Sequence, residues 1–171
     1  MHIEVVDGDA GWPLAEALDR EVYPPEVMAT VIWRDVSWAH ADKRVLLRLE
    51  DRVVCHVGLY LRDGLFDGSP ARIGGIGGVM TSAPVRRTGL ASAAMKSAAR
   101  LMQDAQIDFG LLFCEPHNVR FYEGLGWRIF EGDTLCEQPS GPIRFALMPA
   151  MILPLRMAPR HGIVDLCGLP W

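Results

Sequence analysis

The stretch that decides the fold runs from residue 78 to residue 91 and reads GVMTSAPVRRTGLA. Its first four residues end an apolar run, and its last six, Arg86 to Ala91, open a helical pattern. A helix N-terminus offers free N–H groups and the positive end of the helix dipole, so that at the end of a strand it can hold a pyrophosphate. Gly89 lets the backbone come close to an anion, and the two arginines add guanidinium groups at the rim.

The six residues Arg86 to Ala91 alone would also be consistent with the solvent-exposed N-terminus of an ordinary helix. The segment is not a Walker loop, because no Gly-Lys-Ser/Thr follows, and it lacks the Gly-x-Gly-x-x-Gly fingerprint of dinucleotide-binding folds. The preceding strand, predicted over residues 72–81, carries four glycines, at 74, 75, 77 and 78. These would weaken an ordinary strand, and they favour a bulge or a ligand that closely approaches the backbone.

The composition is that of one globular domain spanning residues 1–171. Half of the residues are hydrophobic and 22% are charged, which suits a chain with a packed core. The net charge of −4 argues against a nucleic-acid partner, which usually meets a basic surface. No signal-peptide pattern follows Met1, and no apolar run reaches the roughly 18 residues of a membrane span. We therefore expect no membrane partner and, by default, a cytoplasmic location.

Metal and redox chemistry have no signal in the sequence. The four cysteines are far apart and form no Cys-x-x-Cys pair. We expect reduced thiols that pack as small hydrophobic side chains, and no metal site. The cysteines are Cys55, Cys114, Cys136 and Cys167.

The order of apolar patterns predicts an α/β (α+β) fold, a mixed sheet with helices packed on it. The segments interpreted as strands are 2–6, 44–49, 53–61, 72–81, 109–114, 127–130 and the broken run 143–155, in which Pro149 and Pro154 favour an edge or a bulge. The segments interpreted as helices are 9–22, with Leu14, Leu18 and Val22 on one face, then 26–34, 89–106 and 116–125. Residues 62–69 are interpreted as a turn-rich link and residues 158–171 as a loop-like tail.

Two blocks of sequence resemble the GCN5-related N-acetyltransferase (GNAT) family. Gly78-Val79-Met80-Thr81 followed by Arg86-x-x-Gly89-x-Ala91 resembles its central motif, which is Gln/Arg-x-x-Gly-x-Gly/Ala between a strand and a helix. The family often has, after the next strand, an Asn, an aromatic pair, and a Gly with an aromatic. Here these are Asn118, Phe121-Tyr122 and Gly126-Trp127. The two blocks span residues 76–127.

This resemblance implies a fold in which two parallel strands splay apart at a bulge and acetyl-CoA lies in the gap as acyl donor. The implied activity is transfer of the acetyl group to a primary amine of a small molecule. The backbone of Val79, Met80 and Thr81 would contact the pantetheine arm, and Asn118 and Phe121 would line its far side. The pyrophosphate would lie on the backbone of Arg86, Arg87, Thr88, Gly89, Leu90 and Ala91.

Acetyl transfer to an amine needs a donor for the oxyanion, a proton for the departing sulfur and a neutral amine. A backbone N–H near Val79 is the expected oxyanion donor, and holding the reactants in line supplies most of the rate. Tyr122 stands where the family commonly places a tyrosine near the sulfur, so it is the candidate acid. The alternative is that Tyr122 is only a core aromatic beside Phe121.

The base has several candidates. Many relatives carry a glutamate at the position that matches Gly77, and this chain has no carboxylate there. Glu115 follows a predicted strand and could face the cleft, and His117 has a side chain that titrates in the right range. A relay of water molecules would also serve. We interpret His56, in the middle of a strand, as a core histidine.

A closer resemblance, to the aminoglycoside 2'-N-acetyltransferases, rests partly on the end of the chain, Asp165-x-x-Gly168-x-x-Trp171. It implies that the α-carboxylate of Trp171, and Asp165, help to bind a polycationic acceptor. Asp35, in the loop before the second strand, could add an acidic wall, because carboxylates bind ammonium groups by charge-assisted hydrogen bonds. The alternative is that the tail only packs Trp171 against the domain.

Other readings stay open. The acceptor could be an amino acid, a polyamine or a peptide, and the acyl donor could be longer than acetyl. A non-catalytic acyl-CoA sensor would keep the anion site without chemistry. The broken strands after Pro142 could pair across a homodimer.

Overall fold

A curved mixed sheet of ten strands organises the chain, and the computed structural model describes all residues 1–171. The strands are β1 (His2–Asp7), β2 (Lys43–Leu49), β3 (Arg52–Phe66), β4 (Ser69–Thr81), β5 (Phe109–Phe113), β6 (Arg128–Ile129), β7 (Asp133–Gln138), β8 (Gly141–Arg144), β9 (Ala150–Pro154) and β10 (Ile163–Asp165). The α-helices are α1 (Gly8–Val22), α2 (Pro25–Met28), α3 (Leu90–Asp104) and α4 (Val119–Glu123). The main path of the sheet is β6-β9-β5-β4-β3-β10-β7-β8, and β2 and β1 continue from β3.

The parallel pair β4 and β5 separates part-way along its length, as expected. Ile73 to Ile76 pair with Phe109 to Leu112, and no pairing follows. On the other side of β4 the register with β3 shifts between His56 and Gly58, and Gly78 has φ +56°. This bulge turns the end of β4 away from β5, so the β5-facing backbone edge from Gly77 onward has no strand partner.

Helix α3 packs its small-residue face on the sheet, as the sequence predicts. Its buried residues face apolar side chains of β2 and β3, among them Val45, Val57 and Leu59. Small side chains allow the helix to lie close to the strands. The buried residues of α3 are Leu90, Ala94, Met95, Ala98 and Met102.

Helix α1 lies on the opposite face of the sheet, and of the three residues predicted for its apolar face Leu18 and Val22 pack on the core while Leu14 does not. Gly8, Gly11, Ala15 and Leu18 are buried, whereas Leu14 is 41% exposed. Close packing against the strands needs the small residues inside, because a Cβ on Gly8 would lie 1.6 Å from the carbonyl oxygen of Ala41. The expectation that Leu14 shares the buried face was therefore wrong.

Two predicted segments differ in length from the structure. The helix expected over residues 26–34 is a single turn, α2, and the chain after it runs as turns in which Trp33 packs against Tyr23, with ring centroids 5.3 Å apart. The link expected over residues 62–69 is mostly strand, because β3 continues to Phe66 and pairs with both β4 and β10. Continuous pairing with β4, joined by β10 at Leu65 and Phe66, outweighs the weak strand propensity of Asp63 and Gly64.

The C-terminal third contains structure that the sequence pattern did not reveal. Strand β7 was not predicted, and the expected loop-like tail contributes β10, which pairs antiparallel with β3 and parallel with β7. Strand β9 is not at an edge, because it lies between β5 and β6. Pro149 precedes β9 and Pro154 is its last residue, so neither proline interrupts the middle of the strand. The helix expected over 116–125 is a 3-10 turn, Pro116–Asn118, followed by the short α4.

None of the helices is long and apolar enough to cross a lipid bilayer. Cys55, Cys114 and Cys136 are buried, Cys167 is exposed, and all four are unpaired.

Candidate active site

One large cavity, of about 1240 Å³, opens where β4 and β5 separate. Its lining includes the ends of both strands, the loop that leads into α3, helix α4, and the α1–α2 region on the opposite side. All of the cofactor residues expected from the sequence except Thr88 line this cavity. The structure therefore brings the two sequence blocks together around one space.

The loop before α3 presents a row of free backbone N–H groups. None of the N–H groups of residues 87–92 donates to a backbone carbonyl. Arg87 and Gly89 have left-handed φ angles of +63° and +90°, which turn successive N–H groups toward the same side. The Thr88 hydroxyl donates to Val85 O at 2.6 Å, and Arg86 Nε donates to Thr81 O at 3.1 Å. The loop is thus held in a shape that can receive an anion.

The unpaired edge of β4 forms one wall of the cavity. Val79 and Thr81 are half-buried and line it. The side chain of Met80 is buried in the core under α1, so Met80 can offer only its backbone to a ligand. Asn118 and Phe121 lie at the exposed rim across from this edge. An extended chain with amide groups could pair with β4 as a strand does.

Tyr122 is buried in the main core and also lines the cavity. Its ring packs edge-on against Phe121 and Trp127. The hydroxyl has no hydrogen-bond partner in the protein, and burial raises the pKa of Tyr122 well above its ordinary value of about 10. The neighbouring Cys114 adds to this effect. The hydroxyl therefore stays protonated at neutral pH and is free to donate a hydrogen bond into the cavity.

Glu115 and His117 meet at the end of β5. His117 Nδ1 lies 3.4 Å from Glu115 Oε2, and both residues line the cavity. The Glu115 side chain is 30% exposed, so solvent can reach it. Both candidate bases therefore line the same cavity as Tyr122.

Tyr23 is a cavity residue that the sequence did not reveal. It follows the last residue of α1 as the C-cap of the helix. Burial raises the pKa of Tyr23, and the negative charge of the nearby Glu115 raises it further. All three tyrosines of the chain, Tyr23, Tyr60 and Tyr122, line the same cavity. No spacing rule links them, because they come from three different elements. A shared cavity becomes visible only in the folded chain.

His56 is buried and fully hydrogen-bonded, as expected of a core histidine. Its Nε2 lies 3.0 Å from Arg44 Nη1, and its Nδ1 lies 2.6 Å from Gly78 O. A guanidinium group only donates, so Nε2 accepts and Nδ1 carries the proton that it donates to Gly78 O. Burial lowers the pKa of His56 to about 4, and Arg44 lowers it further while the bond to Gly78 opposes both. Neutral His56 thus fixes the carbonyl at the bulge.

The last residue packs between the two separating strands. The Trp171 indole stacks on Tyr60, with ring centroids 5.6 Å apart, and its Nε1 donates to Leu111 O at 3.0 Å. It lies directly over Gly75, where an added Cβ would come within 2.2 Å of the ring. Trp171 is 4% exposed and lines the cavity.

The two aspartates expected at the acceptor site lie outside the cavity. The Asp35 side chain is 91% exposed and lies beside Arg34. Asp165 Oδ1 accepts a hydrogen bond from the backbone N–H of Cys167 and so holds the tail. Neither residue lines the cavity. Of the three acceptor residues expected from the sequence, the structure brings only Trp171 to it.

The cavity lining is also rich in aromatic side chains that the sequence analysis did not identify as site residues. These side chains come from α1, the loop after α2, β3 and the end of β5. They are Trp12, Trp33, Trp38, Tyr60 and Phe113.

Comparison with known proteins agrees with this geometry. Residues 9–130, most of the chain, match the family model described as an acetyltransferase (GNAT) domain. The GNAT family N-acetyltransferase YhbS of Escherichia coli, solved in complex with CoA, superposes with a TM-score of 0.64 and 14% identity, over 97% of this chain and 89% of that one. Escherichia coli ElaA gives a TM-score of 0.61 with 15% identity, over 88% of this chain and 97% of that one.

A GNAT family acetyltransferase from Brucella melitensis, solved in complex with acetyl-CoA, gives a TM-score of 0.58 with 11% identity, over 95% of this chain and 94% of that one. At these identities the likeness shows a shared fold. The family match rests on the sequence itself and includes the loop of free N–H groups, the separated strands and Tyr122. The chain belongs to the GNAT acetyltransferase family.

Proposed function

We propose that this protein transfers an acetyl group from acetyl-CoA to a primary amine of a small molecule. The observation that carries the proposal is the convergence of three features on one cavity. These are the free N–H groups of residues 87–92, the unpaired edge of β4 and the partnerless hydroxyl of Tyr122. An anion site, a strand edge and a proton donor are what an acyl-CoA and its thioester require.

The residues present fit the acyl donor. The loop N–H groups, with Arg87 at the rim, would hold the pyrophosphate. The backbone of β4 from Gly77 to Thr81 would pair with the amides of the pantetheine arm, and Asn118 and Phe121 would cover its other side. Acetyl-CoA supplies an activated thioester at the inner end of that arm.

The protein's own groups then serve the transfer. A backbone N–H near Val79, beside the bulge where His56 binds Gly78 O, would donate to the oxygen that becomes negative. The Tyr122 hydroxyl, which burial keeps protonated, would give its proton to the departing sulfur. Glu115, which lies beside His117, would take a proton from the amine, directly or through water.

The acceptor is an amine that fits an aromatic wall. Aminoglycosides remain one class to test, on the resemblance of the chain's end. The support for them is limited to Trp171, because Asp35 and Asp165 lie away from the cavity.

The test combines binding and turnover. Titration with acetyl-CoA should raise the melting temperature by mass action, and CoA thiol should appear when an acceptor amine is added. The panel contains aminoglycosides, polyamines, amino acids and peptides, with acetyl-CoA and longer acyl-CoA donors. Binding without thiol release from any amine would favour the sensor reading, and absence of binding would contradict the proposal.

A further inference from the structure

We propose that the acceptor amine also carries a carboxylate, and that Arg44 binds this carboxylate inside the cavity. This inference rests on the proposed function and names the chemical class of its acceptor. It arises from a charged side chain that the transfer chemistry does not use.

Arg44 is 6% exposed and lines the cavity. Its Nε donates to Gly8 O at 2.7 Å, and its Nη1 donates to His56 Nε2 at 3.0 Å. Trp12 covers one face of the guanidinium, with Cζ 4.9 Å from the ring centroid. Nη2 has no protein partner, and it is not sealed from the cavity and solvent. One end of a rigidly held guanidinium is thus left open.

No carboxylate in the protein neutralises this charge. No aspartate or glutamate oxygen lies within 4.0 Å of the guanidinium, and Arg44 is the only buried arginine of the chain. Asp9 and Tyr60 act on Arg44 only from a distance, and burial lowers the pKa of Arg44. Both partners that it has, a carbonyl and a neutral imidazole, are uncharged. A buried cation without a counter-ion is unfavourable, and a bound carboxylate would supply the missing charge.

Arg44 also lies on the same face of the sheet as the bulge of β4. It pairs with Gly58 on β3, and Gly58 pairs with Gly77 at the bulge of β4. Two strand spacings of roughly 4.8 Å place the Cα atoms of Arg44 and Gly77 about 10 Å apart. His56 bridges this interval, from Arg44 Nη1 to the carbonyl of Gly78. A carboxylate on Arg44 would leave an amine a few bonds away within reach of the bulge.

The cavity holds charges of both signs, because Asp19 and the C-terminal residue Trp171 line it together with Arg44, and the Trp171 carboxyl carbon lies beside Gly77. Arg86 and Arg87 lie on the cofactor side, so Arg44 is the cation of the acceptor side, set among aromatic rings. A planar guanidinium binds a carboxylate through paired N–H groups. Apolar walls around it suit an amino carboxylate with a hydrophobic body. A polyamine or an aminoglycoside has no carboxylate to pair with Arg44, whereas an amino carboxylate offers a group of each sign.

The first experiment measures binding without turnover. The wild-type protein is titrated with 3-phenylpropanoate and with 3-phenylpropanamide, which have the same shape and differ in charge. We expect the acid to bind at least about tenfold more tightly, and Arg44→Gln to remove the difference. Arg48→Gln is the matched control, because Arg48 lies on the same strand, pairs with Glu4 at 2.6 Å and does not line the cavity. Equal binding of acid and amide to the wild type would overturn the proposal.

The second experiment measures thiol release from acetyl-CoA. The acceptors are amino carboxylates with one to five carbons between the amine and the carboxylate, including phenylalanine, each beside its amide. We expect a kcat/KM at least about tenfold higher for an acid than for its amide, with partial retention in Arg44→Lys. Amides that react as well as acids in the wild type would overturn the proposal.

Measuring acetyl-CoA binding to each variant distinguishes a failure of the proposed function from a failure of this inference. Arg44 lies apart from the loop of free N–H groups, so folded variants should bind acetyl-CoA with an unchanged Kd. If the wild type binds acetyl-CoA and acetylates only amines without a carboxylate, the proposed function stands and this inference fails. If it binds no acyl-CoA at all, the proposed function fails, and the comparison of acid with amide still decides whether Arg44 binds a carboxylate.

Discussion

At the scale of single residues, the site depends on hydrogen bonds that the sequence does not display. His56 could be predicted as a buried histidine from its place in an apolar strand. Its tautomer could not, because Arg44 and Gly78 approach it from two other strands. The fold therefore positions a core histidine so that it binds the carbonyl of Gly78 at the bulge of β4.

His56 makes the folded state sensitive to acid. Its pKa of about 4 in the folded state lies below the ordinary value of 6.5, so the unfolded chain takes up the proton first. The free energy of unfolding should fall as the pH drops from about 6.5 to about 4, by about 3 kcal/mol in total, and this contribution should level off below that range.

Urea unfolding at pH 7 and pH 4.5 measures this effect. In His56→Gln the slope between the two pH values should flatten, whereas His161→Gln should keep the wild-type slope because the His161 side chain is 69% exposed. A wild-type slope in His56→Gln would show that another group controls the acid sensitivity.

Tyr122 carries a prediction about chemistry rather than stability. Its hydroxyl has no partner in the protein, so Tyr122→Phe should leave the melting temperature and the Kd for acetyl-CoA almost unchanged. Loss of the proton donor should lower kcat by about 10²–10⁴-fold. Tyr23→Phe, at the same cavity, is the control in single-turnover assays. Full activity in Tyr122→Phe would assign the proton to Tyr23 or to water.

At the scale of elements, the loop before α3 is the feature that the sequence displays most clearly. Gly89 has φ +90° and no atom within 4 Å of an added Cβ, so Gly89→Ala should cost about 1–2 kcal/mol through backbone strain alone. The shifted N–H groups should also weaken acetyl-CoA binding about tenfold or more.

Gly68→Ala provides the matched control for this loop. Gly68 has φ +79°, also has open space at its Cβ, and lies in the β3–β4 turn away from the cavity. It should lose similar stability with no change in the Kd for acetyl-CoA, as measured by calorimetry. Equal effects of the two variants on binding would contradict the assignment of the loop.

The glycines of β4 make room for the end of the chain. An added Cβ at Gly75 would lie 2.2 Å from the Trp171 ring, so Gly75→Ala should cost about 1–3 kcal/mol through overpacking. Trp171→Ala should cost about 3–5 kcal/mol through the cavity it leaves. In the double variant the cost of the Gly75→Ala substitution should vanish, a coupling of about 1 kcal/mol or more in denaturant unfolding. Additive costs would contradict the close packing of these two residues.

The elements differ in how far they could be predicted, for a physical reason. Helix α3 and the bulged β4 carry local signals, a helical period and a run of glycines. Strands β7 and β10 are short and are stabilised by each other and by β3, so no local pattern marks them. The glycine run suited either a ligand or a bulge, and the structure shows that it also accommodates Trp171.

At the scale of the whole molecule, the cavity joins parts of the chain that are far apart in sequence. Residues 76–122 form the side on which we propose that acetyl-CoA binds, and the sequence motif predicted that they line one space. The side on which we propose that the acceptor binds combines α1, the loop after α2, β2, β3 and the tail. The backbone N–H of Ala39 donates to Pro170 O at 2.7 Å and holds the tail in place. No local sequence pattern marks residues that only folding brings together, such as Arg44 and Tyr23. Asp35 and Asp165, which the sequence analysis expected at the acceptor site, do not line the cavity.

The central claim is that the protein transfers an acetyl group from acetyl-CoA to an amine bound in this cavity. Measuring the release of CoA thiol with each amine of the panel tests this claim most directly. The account predicts release that depends on both the amine and the enzyme, that falls sharply in Tyr122→Phe and that is strongest for acceptors bearing a carboxylate. Failure of every amine to release thiol from acetyl-CoA, with the protein folded and the acyl-CoA in excess, would contradict it.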